Sequence, residues 1–207
     1  MLIIECDQGT ERWLGLRRGV ITASKAHALL TPAKRKTLAR ELLAEMLSDT
    51  AETQIANEAM QWGIDNENGA RLCYEFERNV EVTCIGFCLH DTLHFLGCSP
   101  DGLVNDDGLI EIKCPSTKNH IDYFSGIIPA QYVAQVQWQM YITNRKWADF
   151  VSYDPRMPFS AELYIKRVER DEEYIAKLTE GALLVKKEID EFISTHVEIK
   201  SKHPGEE

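Results

Sequence analysis

Asp101, Glu111 and Lys113 are the residues whose types and spacing most clearly suit phosphoryl chemistry. Asp101 stands in the turn Ser99-Pro100-Asp101-Gly102. Glu111 and Lys113 lie in the run Gly108-Leu109-Ile110-Glu111-Ile112-Lys113, which reads as a strand ended by Pro115. Side chains two apart on a strand share a face, so Glu111 and Lys113 point one way while Ile110 and Ile112 point into a core on the other. If the strand bordering the turn pairs with this one, Asp101 approaches Glu111. Two carboxylates with free oxygens suit a hard cation such as Mg²⁺. Such an ion polarises a phosphoryl oxygen and helps ionise water. A lysine beside it supplies fixed positive charge where the transition state gathers negative charge, or orients the water. The pattern is short: an SPDG turn is common, and Glu-x-Lys on a strand is often a solvent-facing ion pair.

The elements that must position these residues follow from periodicity. Thr10 can cap a short helix through Glu11, Trp13, Leu14 and Arg17, broken at Gly19. A second short helix starts at Thr22 or Ser24 and ends near Pro32. Residues 35–48 place Leu38, Leu42, Leu43, Met46 and Leu47 on one helical face, and residues 53–78 read as helix with a possible break at Gly63. The period then changes: Val80, Val82 and Cys84 alternate as in a strand, and Leu93–Cys98 is a further strand candidate. A helix from about Pro129 to Thr143 puts Gln131, Gln135 and Gln139 on one face. Strands near 147–153 and 161–168 and a long helix near 170–194 complete the chain. Helices on either side of a cluster of strands predict an α/β fold, a mixed sheet flanked by helices.

With 207 residues, 44% of them apolar, the chain suits one compact domain, residues 1–200, with a flexible tail at 201–207. No stretch resembles a signal peptide or approaches the roughly 18 apolar residues that span a bilayer, so no membrane role and a cytosolic location are expected. The six cysteines lack the spacing of a zinc set and read as reduced, partly buried thiols. A net charge of −10 argues against a nonspecific nucleic-acid coat, yet leaves room for one basic surface. Basic clusters stand at Arg12, Arg17 and Arg18 and again at Lys34, Arg35, Lys36 and Arg40.

Asp101…Glu111-Ile112-Lys113 matches the PD-(D/E)xK nuclease pattern. More closely, the chain resembles the phage lambda exonuclease family of viral recombinases. The resemblance runs through Arg17-x-Gly19-Val20-Ile21-Thr22-Ala23-Ser24, Trp62-Gly63-x-x-x-Glu67-Asn68 and Cys98-Ser99-Pro100-Asp101-Gly102-Leu103. It continues through Glu111-x-Lys113-Cys114-Pro115, Tyr132-x-Ala134-Gln135-Val136-Gln137 and Tyr153-Asp154-Pro155-Arg156-Met157. It implies a restriction-endonuclease-like core and a 5′-to-3′ exonuclease dependent on Mg²⁺, with Mn²⁺ as a substitute. Asp101, Glu111 and the Ile112 carbonyl resemble its metal ligands, and Glu67 an acid that helps hold a second metal. Lys113 resembles its catalytic lysine and Gln135 the glutamine that positions the attacking water. Arg17, Ser24 and Ser99 resemble a pocket for a terminal 5′-phosphate; otherwise Arg17 would pair with a nearby acid and Ser24 would cap a helix. Double-stranded DNA ends as substrate, a ring-shaped homotrimer, a single-strand annealing protein as partner and a phage or prophage origin are further implications of the resemblance. A sequence-specific endonuclease and an inactive DNA-binding subunit on the same core are the alternatives.

Overall fold

Strand β7 carries Glu111 and Lys113, and the fold is arranged around it. The computed structural model describes residues 1–48 and 58–197. In chain order the elements are β1 (Leu2–Ile4), α1 (Glu11–Arg17), β2 (Ile21–Thr22), a 3-10 helix over Ala23–Leu30, α2 (Pro32–Leu47), α3 (Glu58–Arg78) and β3 (Val82–Thr83). There follow β4 (Phe87–Leu89), β5 (Leu96–Cys98), β6 (Gly102–Val104), β7 (Gly108–Lys113), α4 (Thr117–Phe124), α5 (Ala130–Thr143), β8 (Trp147–Tyr153), a 3-10 turn at Phe159–Ala161, β9 (Leu163–Glu169) and α6 (Glu172–His196).

The strands form two mixed sheets, ordered β1-β4-β5-β2 and β3-β6-β7-β8-β9. β2 runs parallel to β5, and β7 runs parallel to β8, Glu111 facing Phe150 in register. The remaining pairings are antiparallel. Residues 99–101 are all that separates β5 in the first sheet from β6 in the second. Asp101 therefore sits on the seam between the sheets.

Both faces of the larger sheet are covered, which is why β7 is buried on both sides. On one face Ala70 and Tyr74 of α3 pack with Ile110, Ile112, Val151 and Tyr153. On the other, Val136 and Met140 of α5 pack with Leu109 and Ala148. α5 is itself enclosed, with Ala134, Trp138 and Ile142 in one cluster with the 3-10 helix, α2 and α6. Such helix-covered parallel pairing reads as an almost continuous apolar run broken only by functional polar residues. Gly108 opens β7 because the Trp147 ring lies against it, where any Cβ would collide. Arg167 in turn stacks on Trp147, its guanidinium carbon 3.5 Å from the ring centre. Its fork holds the buried Asp149 at 2.8 and 2.9 Å, and Tyr74 donates to the same carboxylate at 2.8 Å. Burial and the Asp149 carboxylate push the Tyr74 phenol well above its ordinary pKa. Full hydrogen bonding is what makes a buried carboxylate tolerable there.

Several boundaries differ from the periodicity reading. α2 starts at Pro32 rather than 35, because a proline at the first helical position loses no hydrogen bond. Of its expected apolar face Leu38, Leu42 and Leu43 are buried, whereas Met46 and Leu47 are about half exposed. α3 runs through Gly63 unbroken, since a single glycine costs only about 1 kcal/mol. The alternation at 80–84 yields only the two-residue β3, and β5 begins at Leu96 rather than Leu93. The helical reading over 53–57 and the tail from Ser201 lie outside the described residues.

Candidate active site

β6 and β7 pair from Val104↔Gly108 to Gly102↔Ile110. Beyond that last pair no β6 residue lies opposite Ile112, and the Asp101 side chain takes the place on that edge: Ile112 N–H donates to Asp101 Oδ2 at 2.6 Å. A strand residue's N–H and C=O point to the same edge, so the Ile112 carbonyl also faces Asp101. The turn and the strand thereby bring a carboxylate and a backbone oxygen together.

Glu111, next along β7, is 2% exposed and accepts from three side chains. Lys113 Nζ and Gln135 Nε2 donate to Oε1, the latter at 2.6 Å, and Gln139 Nε2 donates to Oε2 at 2.5 Å. The shared glutamine face of α5 thus lies against β7. Gln139 was placed on that face by spacing alone; the carboxylate it grips is 28 residues away in sequence, so its role had no local signal. Tyr132, one turn earlier on α5, lies beneath Lys113, the ammonium 5.1 Å from the ring centre. Burial pulls the Lys113 ammonium down, but the Glu111 and Asp101 carboxylates outweigh it and hold the proton firmly.

Glu67 projects from α3 into the same region. Burial first, and then the Glu111 carboxylate, push its pKa up, and the same two causes push Asp101 up further. Glu67 adds to the rise of Asp101, while one ammonium, Lys113, pulls both the other way. Among the described residues no three His, Cys, Asp or Glu side chains gather closely enough to hold an ion by themselves. The donor set nevertheless fits a divalent hard cation. The protein groups that would hold it are all oxygens, Asp101 Oδ1 accepts no hydrogen bond among the described residues, and positive charge there would relieve the like charge. Mg²⁺ ordinarily takes one or two carboxylates and leaves its other positions to water and phosphate.

Beside this centre the first sheet builds a cradle of donors. Thr10 caps α1 by accepting from Trp13 N–H at 3.3 Å. α1 then presents Trp13, whose indole N–H donates to Ser99 Oγ at 2.8 Å and whose ring carries the Arg17 guanidinium at 4.0 Å. Arg17 reaches Ser24 Oγ at 3.4 Å. No carboxylate lies within ion-pair distance of Arg17 among the described residues. Burial lowers its pKa, against the pull of more distant acids, Glu45 first. Ser24 is not the cap of its 3-10 helix; Thr22 holds that position, and the Ser24 hydroxyl faces Arg17 and Thr22 instead. The structure thus brings Arg17, Ser24 and Ser99 together through Trp13, a residue that the spacing of charges did not single out. A cleft of about 520 Å³ leads from Ser24 past Lys25 and Lys34 to Lys113, Tyr132 and Gln135. Lys34, of the second basic cluster, therefore lines the approach to the centre.

The six cysteines are free, with Cys88 and Cys98 buried. No helix among the described residues is long and apolar enough to cross a membrane.

The family model for the YqaJ-like viral recombinase domain matches residues 12–146. An alkaline exonuclease from Laribacter hongkongensis is 39% identical, with 89% of this chain and 97% of that one covered. Its structures alone and with dAMP give TM-scores of 0.79 and 0.80. A phage-related exonuclease from Haemophilus somnus is 18% identical, covers 84% of this chain and 95% of its own, and shares the fold with a TM-score of 0.66. An uncharacterized protein of Acanthamoeba polyphaga mimivirus is 32% identical over 111 residues, 47% of this chain. An uncharacterized Escherichia coli protein, ExoD, is 40% identical over 53 residues, 26% of this chain. The chain spans 20% and 60% of the lengths of these last two proteins. With a family model covering more than half its length and an alkaline exonuclease matching nearly end to end, the chain belongs to the YqaJ-like viral recombinase family, whose structural neighbours are alkaline exonucleases.

Proposed function

We propose that the chain is a magnesium-dependent 5′-to-3′ exonuclease that digests one strand of duplex DNA from its end and leaves a 3′ single strand for annealing. The observation that carries this reading is the pairing of two sites a few residues apart: the Asp101–Glu111–Lys113 centre, and a half-buried Arg17 that reaches Ser24, shares Trp13 with Ser99 and has no acid within ion-pair distance among the described residues. Asp101, Glu111 and the Ile112 carbonyl would hold the metal, and Glu67 would support a second ion. When bound, magnesium polarises the scissile phosphoryl oxygen and acidifies the attacking water. Gln135, with one amide hydrogen on Glu111, orients that water through its remaining polar groups. Lys113 keeps its proton and meets the charge that develops on the phosphoryl oxygens. Arg17, Ser24 and Ser99 receive the terminal phosphate through a fork and two hydroxyls, and Trp13 holds both sides of this cradle. The doubly charged terminal group binds there more strongly than an internal diester, so binding fixes the scissile bond over Lys113.

Assembly as a ring-shaped homotrimer, partnership with a single-strand annealing protein and work in the cytosol of a phage-infected bacterium belong to the same reading. Exposed Ile64, Leu72 and Phe76 at helical spacing on α3 support a surface that meets another protein.

The test compares linear duplexes carrying a 5′-phosphate or a 5′-hydroxyl, with closed-circular duplex as a third substrate. The natural chain cuts the phosphorylated end fastest and leaves the circle intact. Arg17→Ala loses most of the preference, roughly tenfold or more, the worth of one charge-assisted phosphate contact. Equal rates on both ends discard the pocket, cutting of the circle favours an endonuclease, and no cutting of any substrate favours an inactive DNA-binding subunit.

A further inference from the structure

The corner that follows β8 takes no part in the chemistry above, yet it spends a buried charge. Asp154 is 0% exposed, at the end of the strand that pairs with β7. It accepts from Thr117 Oγ1 at 2.6 Å, from Arg156 N–H at 3.1 Å and from Arg156 Nε and Nη2 at 2.7 and 3.1 Å. Burial would raise this carboxyl, but these hydrogen bonds hold it at about 2. The pair thus stays ionised above the ordinary carboxyl range and is lost only as pH falls from about 4 through about 2. An ion pair between a buried carboxylate and a guanidinium that is itself 46% exposed adds little stability. What this one supplies is geometry.

Arg156 reaches in two directions. Its Nη2 donates to the Pro115 carbonyl at 3.0 Å, two residues past Lys113. Its guanidinium stacks on Trp62 of α3, 4.2 Å from the ring centre. Seven residues along α3, Gly69 lies under the Tyr153 ring, whose nearest carbon is 3.6 Å from where a Cβ would stand. Glu67 falls between these two points of attachment. We propose that Tyr153, Asp154 and Arg156 form a positioning bracket. It clamps α3 at Trp62 and Gly69 and the chain after β7 at Pro115, and so sets the distance from Glu67 to Asp101 and Glu111. The bracket acts through Glu67 and does not touch the substrate. It rests on the metal-dependent reading given above.

Three measurements on the full chain test it: Mn²⁺ binding by calorimetry without DNA, kcat and KM on a 5′-phosphorylated linear duplex at saturating Mg²⁺, and the melting temperature. Arg156→Ala and Trp62→Ala are expected to weaken the weaker Mn²⁺ site and lower kcat, each by roughly ten- to a hundredfold, as for groups that orient metal ligands. KM should change less than about twofold, because the phosphate cradle is untouched. Trp62→Phe keeps a ring for the guanidinium and restores most of both quantities. Arg156→Lys does not, since an ammonium cannot fork onto Asp154 and still reach Pro115. Natural Mn²⁺ binding and kcat in Arg156→Ala overturn the bracket. So does full recovery in Arg156→Lys, which marks a simple ion pair, or a drop in melting temperature with the Mn²⁺ profile unchanged. Asp101→Ala separates this from the wider reading: if the natural chain binds Mn²⁺ and cuts DNA but Asp101→Ala does neither, only the bracket stands or falls. If the natural chain does neither, both fall.

Discussion

Replacing Asp101 or Glu111 by alanine is expected to leave a folded chain whose rate of DNA hydrolysis is at least three orders of magnitude lower, the scale of losing several kcal/mol of metal-derived stabilisation. The two variants should differ in stability. Asp101 is held above its ordinary pKa by burial and by the Glu111 and Glu67 carboxylates, so its removal relieves like-charge crowding. Its hydrogen bond from Ile112 N–H is lost in exchange. The melting temperature of Asp101→Ala in metal-free buffer should therefore stay level or rise, a usual trade between stability and activity at a charged site. Glu111→Ala strips Lys113, Gln135 and Gln139 of their common acceptor; Gln139 is fully buried, and a donor left buried costs roughly 1–3 kcal/mol. That variant should melt earlier. Calcium in place of magnesium should fail to support cutting by the natural chain, because it fills oxygen sites with a looser geometry. A labelled linear duplex followed on a denaturing gel and a thermal melt decide the matter. Normal cutting by either variant removes the pair from the mechanism.

The second large effect falls on Lys113. Lys113→Ala should lose roughly two or more orders of magnitude in rate, as when one preorganised electrostatic group is deleted. Mn²⁺ binding measured without DNA should persist or tighten, because the ammonium competes with the metal for Glu111. The Glu111 and Asp101 carboxylates push the Lys113 pKa up, which favours charge over the removal of a proton as its contribution. Lys113→Arg should accordingly recover part of the rate. Loss of metal binding in Lys113→Ala, with the rate surviving at saturating metal, would show that the lysine serves the metal and not the phosphate.

What could be read in the sequence was whatever a local period or a turn encodes. β7 announced itself because Glu111 and Lys113 alternate with Ile110 and Ile112 between Gly108 and Pro115. The cap at Thr10 and the Gln131–Gln135–Gln139 face were legible for the same reason. β1 and β4 were not, since three residues are too few to show an alternation, and α4 was missed because its eight residues mix apolar and polar side chains in two turns. Gly63 suggested a break that the packing of Ala70 and Tyr74 overrides. The remaining parts of the site are contacts between distant segments. Trp13 meets Ser99 from 86 residues away, and Arg156 meets Pro115 from 41. No window of sequence contains both members of either pair.

The seam between the two sheets acts as a ruler. Ser99 belongs to the cradle on one side of it and Asp101 to the metal centre on the other, with Pro100 alone between them. Two residues of backbone reach at most about 7 Å, and a proline ring stiffens the link further. On the reading proposed above, the spacing between phosphate cradle and metal centre, and with it the length of the fragment removed, would be bounded by covalent geometry, which neither salt nor temperature can stretch. Each cut then releases a unit of one size, and chromatography of the earliest acid-soluble products should resolve a single peak rather than a ladder.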